Sequence, residues 1–177
     1  MSSIIEGYNY DIFISYRQKD NKGDRWVTEF VEALNQYIKK YIYLLKDLQI
    51  TEATIDVNLA NIYSQAGILD KAEGYYRQAL SLEPENPNWM NVLAYFLIDK
   101  DLNINEGLEL IDKALIKSPD KYNFLHAKGW GLYKQGKYQE ALELLQKSWD
   151  LRMKNAIYLH EAYLHLEAAK KAVEGQN

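Results

Sequence analysis

The residues with the most obvious chemical potential are the histidines. His160-Glu161-Ala162-Tyr163-Leu164-His165 has the outline of a zinc-binding helix, but that motif needs its two histidines four residues apart so that both rings share one face. Here they stand five apart, and at about 100° per residue the rings point about 140° away from each other, with no third ligand evident. Both are read as ordinary helix residues. His126 has no serine or cysteine nucleophile signature beside it, so packing or binding is the better reading than general-base work. Gly129-Trp130-Gly131 lies inside a helical pattern, where small residues permit close packing rather than cradle a phosphate. Glu140, Glu143 and Asp150 read as a solvated face. No catalytic residue, cofactor site or metal site is expected, and the chain is not read as an enzyme.

The elements that carry these residues follow from self-comparison, because a fixed period changes the whole fold assignment. Tyr63, Gly67, Ala72, Tyr76, Ala79 and Pro84 have the order and spacing of Leu97, Asp101, Gly107, Ile111, Ala114 and Pro119. A third copy runs through Leu132, Gly136, Ala141, Leu145, Ser148 and Met153. In each copy a small residue on the first helix (Ala60, Ala94, Gly129) meets a small residue on the second (Ala72, Gly107, Ala141), as close helix crossing requires. The separations are 12, 13 and 12 residues, so the middle copy should carry a longer connection within Asp101 to Asn105. Asn86-Pro87 reads as an N-cap followed by proline in the first turn, and Ser118-Pro119-Asp120 as a helix stop that caps the next helix. Asp70 with Glu73, and Asn103 with Glu106, have capping-box spacing.

Units of roughly 34 residues with this helix-turn-helix pattern resemble tetratricopeptide repeats. The resemblance covers residues 53–154 as three repeats. It departs from the family at Asp56 and Met90, where a large aromatic is preferred, and at Asp101, which replaces the turn glycine. The fold class it implies is all-α, a solenoid of helix-turn-helix repeats with a short N-terminal β-strand segment. The first helix of each pair would line a concave face. In the family register Val57, Asn61 and Gln65, then Asn91, Tyr95 and Ile98, then His126, Trp130 and Tyr133 point inward. Aromatic anchors with amides between them suit a peptide or protein segment. The family's grip on a chaperone's C-terminal carboxylate needs a ring of Lys, Arg and Asn; Val57, Asn61, Val92, Asn123 and Ala127 stand at the matching places, so no such binding is expected.

The flanks read differently. Apolar residues from Val27 to Leu48 recur at three- and four-residue steps, marking a long helix from about Asp24 to Gln49 whose C-terminal half can pack on the first repeat. Residues 36–52 form its lead-in to the array, and 155–177, with a periodic helix from Ala156 to Val173, caps the far end. Tyr8 to Tyr16 alternates as a short β-strand. The run Tyr10-Asp11-Ile12-Phe13-Ile14-Ser15-Tyr16-Arg17-Gln18-Lys19-Asp20, with Trp26 and a helix after it, resembles the start of a bacterial Toll/interleukin-1 receptor (TIR) domain, here truncated to residues 1–35. The resemblance places Ser15 and Arg17 near a nucleotide-binding edge in a family with NAD-hydrolysing members. The remaining strands and the catalytic glutamate are missing, so the alternative to a binding scaffold is a regulatory remnant of such an enzyme.

Composition limits the partners. Of 177 residues, 21 are basic and 25 acidic, a net charge of -4 with the two signs intermixed, so neither nucleic acid nor a membrane surface is an expected partner. The absence of cysteine excludes disulfides and thiolate sites and fits a soluble cytoplasmic protein. Self-association through the orphan strand or the C-terminal helix is a further expectation, because native proteins rarely leave an apolar edge bare.

Overall fold

The computed structural model describes residues 29–36 and 51–175. Residues 29–36 are helical. Seven helices follow: α1 (Glu52–Gln65), α2 (Leu69–Leu82), α3 (Pro87–Asp99), α4 (Ile104–Lys117), α5 (Tyr122–Lys134), α6 (Tyr138–Lys154) and α7 (His160–Glu174). Three antiparallel hairpins, α1/α2, α3/α4 and α5/α6, stack side by side, and α7 lies against the last of them.

The hairpin turns explain why the repeat has the residues it has. Each first helix ends in a left-handed residue: Gly67 at φ 79°, Asp101 at φ 54° and Gly136 at φ 79°. The amide after it donates back across the helix end, from Ile68 to the Tyr63 carbonyl (2.9 Å), Leu102 to Leu97 (3.0 Å) and Lys137 to Leu132 (3.0 Å). This closure satisfies a carbonyl that the helix itself leaves open, and it favours glycine because a Cβ crowds the backbone at positive φ. Asp101 therefore occupies a glycine conformation, and the connection it belongs to, Lys100 to Asn103, is one residue longer than Ala66 to Ile68 or Gln135 to Lys137.

The small-residue pairs sit where the helices cross. Ala60, Ala72, Ala94 and Ala141 have no exposed surface. A Cβ added to Gly107 would lie 2.6 Å from Ile98 Cγ1 and 2.9 Å from the Ala94 carbonyl oxygen, and one on Gly129 would lie 2.8 Å from Leu145 Cγ. Around these crossings Tyr63, Leu59, Leu93, Leu97, Ile111, Phe124 and Leu145 are fully or almost fully buried. Each such side chain contributes about 1.5–3 kcal/mol relative to exposure. Asp56 and Met90 are buried as well. Polar links join neighbouring repeats at their rims: Lys134 Nζ to Asp101 Oδ2 at 2.6 Å, Lys121 Nζ to Asn88 Oδ1 at 2.6 Å, and Arg77 Nη1 to Glu106 Oε1 at 2.6 Å. Largely exposed pairs of this kind contribute about 0–1 kcal/mol each.

Several local expectations need correction. Asn86 and Asn103 cap their helices through Asn88 N (2.9 Å) and Glu106 N (3.1 Å), but α2 starts at Leu69 with Ile68 as an N-cap that makes no side-chain bond, so Asp70 lies inside the helix. Asp120 does not cap α5 either; Lys121 is the N-cap, and the Asp120 carboxylate binds Lys147. The C-terminal helix starts at His160, four residues later than its periodicity suggests. Helix α6 is closed by Ala156 at φ 55°, with Ile157 N donating to Arg152 O at 2.9 Å, and the chain runs non-helically to Leu159 before turning into α7.

Val31 is wholly buried in the first-repeat core, and Asn35 Nδ2 donates to Tyr75 Oη at 3.0 Å, so residues 29–36 pack on α2. The expected strand at residues 8–16, the TIR-like run with Ser15 and Arg17, and the rest of the helix expected at 24–49 lie outside the described residues. Every described element is helical, and among the described residues no helix is long and apolar enough to cross a membrane.

Candidate functional site

The inner faces of α1, α3 and α5 bound a concave cavity of about 440 Å³. Helix α1 contributes Asn61 and Gln65, α3 contributes Asn91, Tyr95 and Asp99, and α5 contributes Asn123 and His126. Tyr76 and Phe96 also line it, their rings 5.0 Å apart, and the Tyr76 hydroxyl donates to Asn61 Oδ1 at 2.5 Å. The C-terminal end is closed by Arg152 at the end of α6 and by Leu159 and Glu161 around the start of α7.

Of the nine residues expected to face inward, Asn61, Gln65, Asn91, Tyr95 and His126 line this cavity. Val57 and Ile98 are core residues instead, 8% and 0% exposed. The lining stripe of α3 runs Asn91, Tyr95, Asp99 with Val92 and Phe96 beside it, and Ile98 falls at the edge of that arc, where it fills the space opposite Gly107. Trp130 and Tyr133 stack on each other at 4.8 Å, and Trp130 lies flat on His165 with centroids 3.6 Å apart. These two rings fasten α5 to α7 and do not line the cavity. Sequence reasoning passed over Asp99, Arg152 and Glu161, whose placement depends on how α7 returns across α5. The signal available for that return was the Ala162, Leu166, Ala169 stripe, which is the buried face of α7.

Burial governs the electrostatics. His126 is 4% exposed, and loss of hydration, together with the neighbouring His165 and Arg152, pushes its pKa down to about 3. Burial lowers the pKa of His165 too, so both imidazoles are neutral at pH 7. They face each other with His165 Nδ1 3.1 Å from His126 Nε2, so one nitrogen of the pair carries the shared proton. Burial raises the Tyr76 pKa to about 12 and raises that of Tyr95 as well. Arg152 is 5% exposed with its guanidinium carbon 4.5 Å from the Tyr122 ring centre, and burial lowers its pKa. Asn91 Oδ1, Asn123 Oδ1 and Arg152 Nε, all in residues lining this cavity, have no hydrogen-bond partner among the described residues. Buried polar atoms of this kind are rare in folded proteins.

Comparison with known proteins matches the repeat reading. Residues 57–86 and 125–152 each match a model described as tetratricopeptide repeat. A TPR repeat-containing protein of Methanocaldococcus jannaschii is 39% identical over 93 residues, and one of Pseudomonas aeruginosa is 32% identical over 99. Each alignment covers 52% of this chain and 16% of the relative, so the chain spans about a sixth of the length of those proteins. The crystal structure of the Sgt2 TPR domain from Aspergillus fumigatus superposes with a TM-score of 0.61 at 20% identity, over 72% of this chain and 83% of that one. That likeness is one of fold: the helical array is a tetratricopeptide-type solenoid.

Proposed function

We propose that the chain is a non-catalytic interaction scaffold that binds a peptide or protein segment in its concave cavity. The observation that carries this reading is the set of unpartnered polar atoms, Asn91 Oδ1, Asn123 Oδ1 and Arg152 Nε, gathered in one hollow. Asn61, Asn91 and Asn123 come one from each first helix and line the same cavity, where their carboxamides can meet the backbone of a guest. Tyr76, Tyr95 and Phe96 supply the apolar contact between them. The test is selection of peptides on the chain by display, followed by calorimetry. Replacing both Asn91 and Asn123 by Ala should weaken the selected peptides about tenfold or more, each lost amide bond being worth roughly 0.5–1.5 kcal/mol. Equal affinity for the double variant would remove the reading. No NAD turnover is expected from the chain, and measurable turnover would favour the enzyme-remnant alternative.

One observation favours a second reading, self-association. Ile157, Tyr158, Leu159, Tyr163 and Leu164 are exposed together at the C-terminal end of the array, and a clustered apolar surface of this kind marks an interaction site. A mass that rises with concentration in light scattering, and that falls to the monomer when Tyr158 and Leu164 become Ser, would support it.

A further inference from the structure

We propose that Asp99, Glu161 and His165 form a binding site for a divalent transition-metal ion of the zinc class at the C-terminal end of the cavity. One carboxylate oxygen from each acid and one ring nitrogen of His165 lie within 4.8 Å of one another. The spacing that disqualifies His160 with His165 is met by a different pair. Glu161 and His165 stand four apart on α7, one turn above the other on the same face, and Asp99 arrives from the last turn of α3.

The surroundings fit a ligand set beyond mere proximity. His165 is 9% exposed, its ring is clamped flat on Trp130 at 3.6 Å, and its Nδ1 bonds His126 Nε2 at 3.1 Å. A second polar group on the far ring nitrogen is how metal-binding histidines are oriented and kept in one tautomer. In the tautomer in which Nδ1–H donates to His126, the other nitrogen of His165 holds a free lone pair. Glu161 is exposed, and the group beside its carboxylate is the Tyr95 hydroxyl, a neutral neighbour that an ion can displace. Asp99 pairs with its exposed neighbour Lys100 at 2.8 Å, a contact that an ion can displace. Lys134, which donates to the Asp99 carbonyl at 3.1 Å, and Arg152 in the cavity wall are the opposing charges, and they lower the affinity without blocking the ligand atoms.

One imidazole and two carboxylates suit zinc, cobalt or manganese better than calcium or magnesium, which prefer oxygen alone. Metal–ligand distances of about 2.0–2.2 Å require the three atoms to draw together by roughly 1 Å, a movement that a rotamer change of the exposed Glu161 supplies. Three protein ligands leave a fourth position open, and two of them, Asp99 and Glu161, line the cavity. A bound ion would tie α7 to α3 and place a Lewis-acidic contact beside the proposed guest.

The site stands independently of the peptide-binding reading. The test is titration of the metal-stripped chain with Co²⁺, followed by visible absorption, and with Zn²⁺, followed by calorimetry and thermal melting. One equivalent should bind, with a cobalt ligand-field band and a raised Tm. Glu161→Gln and Asp99→Asn, both surface-accessible changes, should each weaken binding at least tenfold, and His160→Ala should leave it unchanged. The proposal is overturned if no cobalt band appears up to millimolar metal, or if binding survives Glu161→Gln and is lost with His160→Ala. Peptide binding measured in a chelator reports on the cavity separately.

Discussion

Two glycines in equivalent helical settings should respond to the same substitution with opposite signs. Gly74 lies in the middle of α2 on its exposed face, and a Cβ there meets nothing within 4 Å. Gly74→Ala should therefore collect the helix-propensity gain of about 1 kcal/mol, which raises Tm by roughly 2–4 °C in a chain of this size. Gly107 lies at the α3/α4 crossing, where the same Cβ would come within 2.6 Å of Ile98 Cγ1 and 2.9 Å of the Ala94 carbonyl oxygen. Ile98 is fully buried and Ala94 O is backbone, so the only relief is to separate the two helices. Overpacking of this kind costs about 1–3 kcal/mol, and the backbone contact puts Gly107→Ala at the upper end. Net of the same propensity gain, about 1–2 kcal/mol of destabilisation remains. Urea denaturation of the two variants beside the parent checks this. If Gly107→Ala is as stabilising as Gly74→Ala, the crossing is not set by the missing side chain, and the account of the hairpin fails. Because α3 carries Asn91, Tyr95 and Asp99, spreading this hairpin also tilts the central wall of the cavity.

Two further outcomes follow from buried geometry. The His126 pKa, held at about 3 in the fold against an ordinary value near 6.5, means the unfolded chain binds a proton that the native one refuses; stability from this residue is complete above pH 6.5 and is lost progressively as pH falls toward 3. His165 acts in the same direction, and the urea midpoint followed from pH 7 to pH 4 should fall less steeply in His126→Phe than in the parent. Ala156 occupies φ 55° at the end of α6 without the polar side chain that eases Asp101 into the same region. Ala156→Gly should stabilise the chain by about 0.5–1 kcal/mol, the relieved strain less the entropy of a freer unfolded chain, and an unchanged or lowered Tm would contradict the strain assigned there.

The repeat was legible because it is written in local rules. Left-handed turns select Gly67 and Gly136, crossings select Ala60 with Ala72 and Gly129 with Ala141, and Asn86-Pro87 starts a helix; each needs only its neighbours within one hairpin. The period then placed Asn61, Asn91, Tyr95 and His126 on the inner stripe. The same logic misplaced Ile98 because a helix face is an arc, and only the approach of α4 with Gly107 decides which edge of that arc is core. The far end of the cavity was beyond reach for the same kind of reason. Periodicity marks Ile157, Tyr158, Leu159, Ala162, Tyr163, Leu166 and Ala169 alike, but of these only Ala162, Leu166 and Ala169 are buried, and the pattern does not say against what. The turn at Ala156 and the non-helical run to Leu159 swing α7 back across α5, and that packing brings Glu161 and His165 to Asp99, more than 60 positions earlier in the chain, and His165 to His126, 39 positions earlier. Short-range sterics and helix period thus determined the array and its inner stripe from sequence alone, whereas the polar cluster that closes the cavity was decided by tertiary packing, because it joins side chains whose relative position no local rule contains.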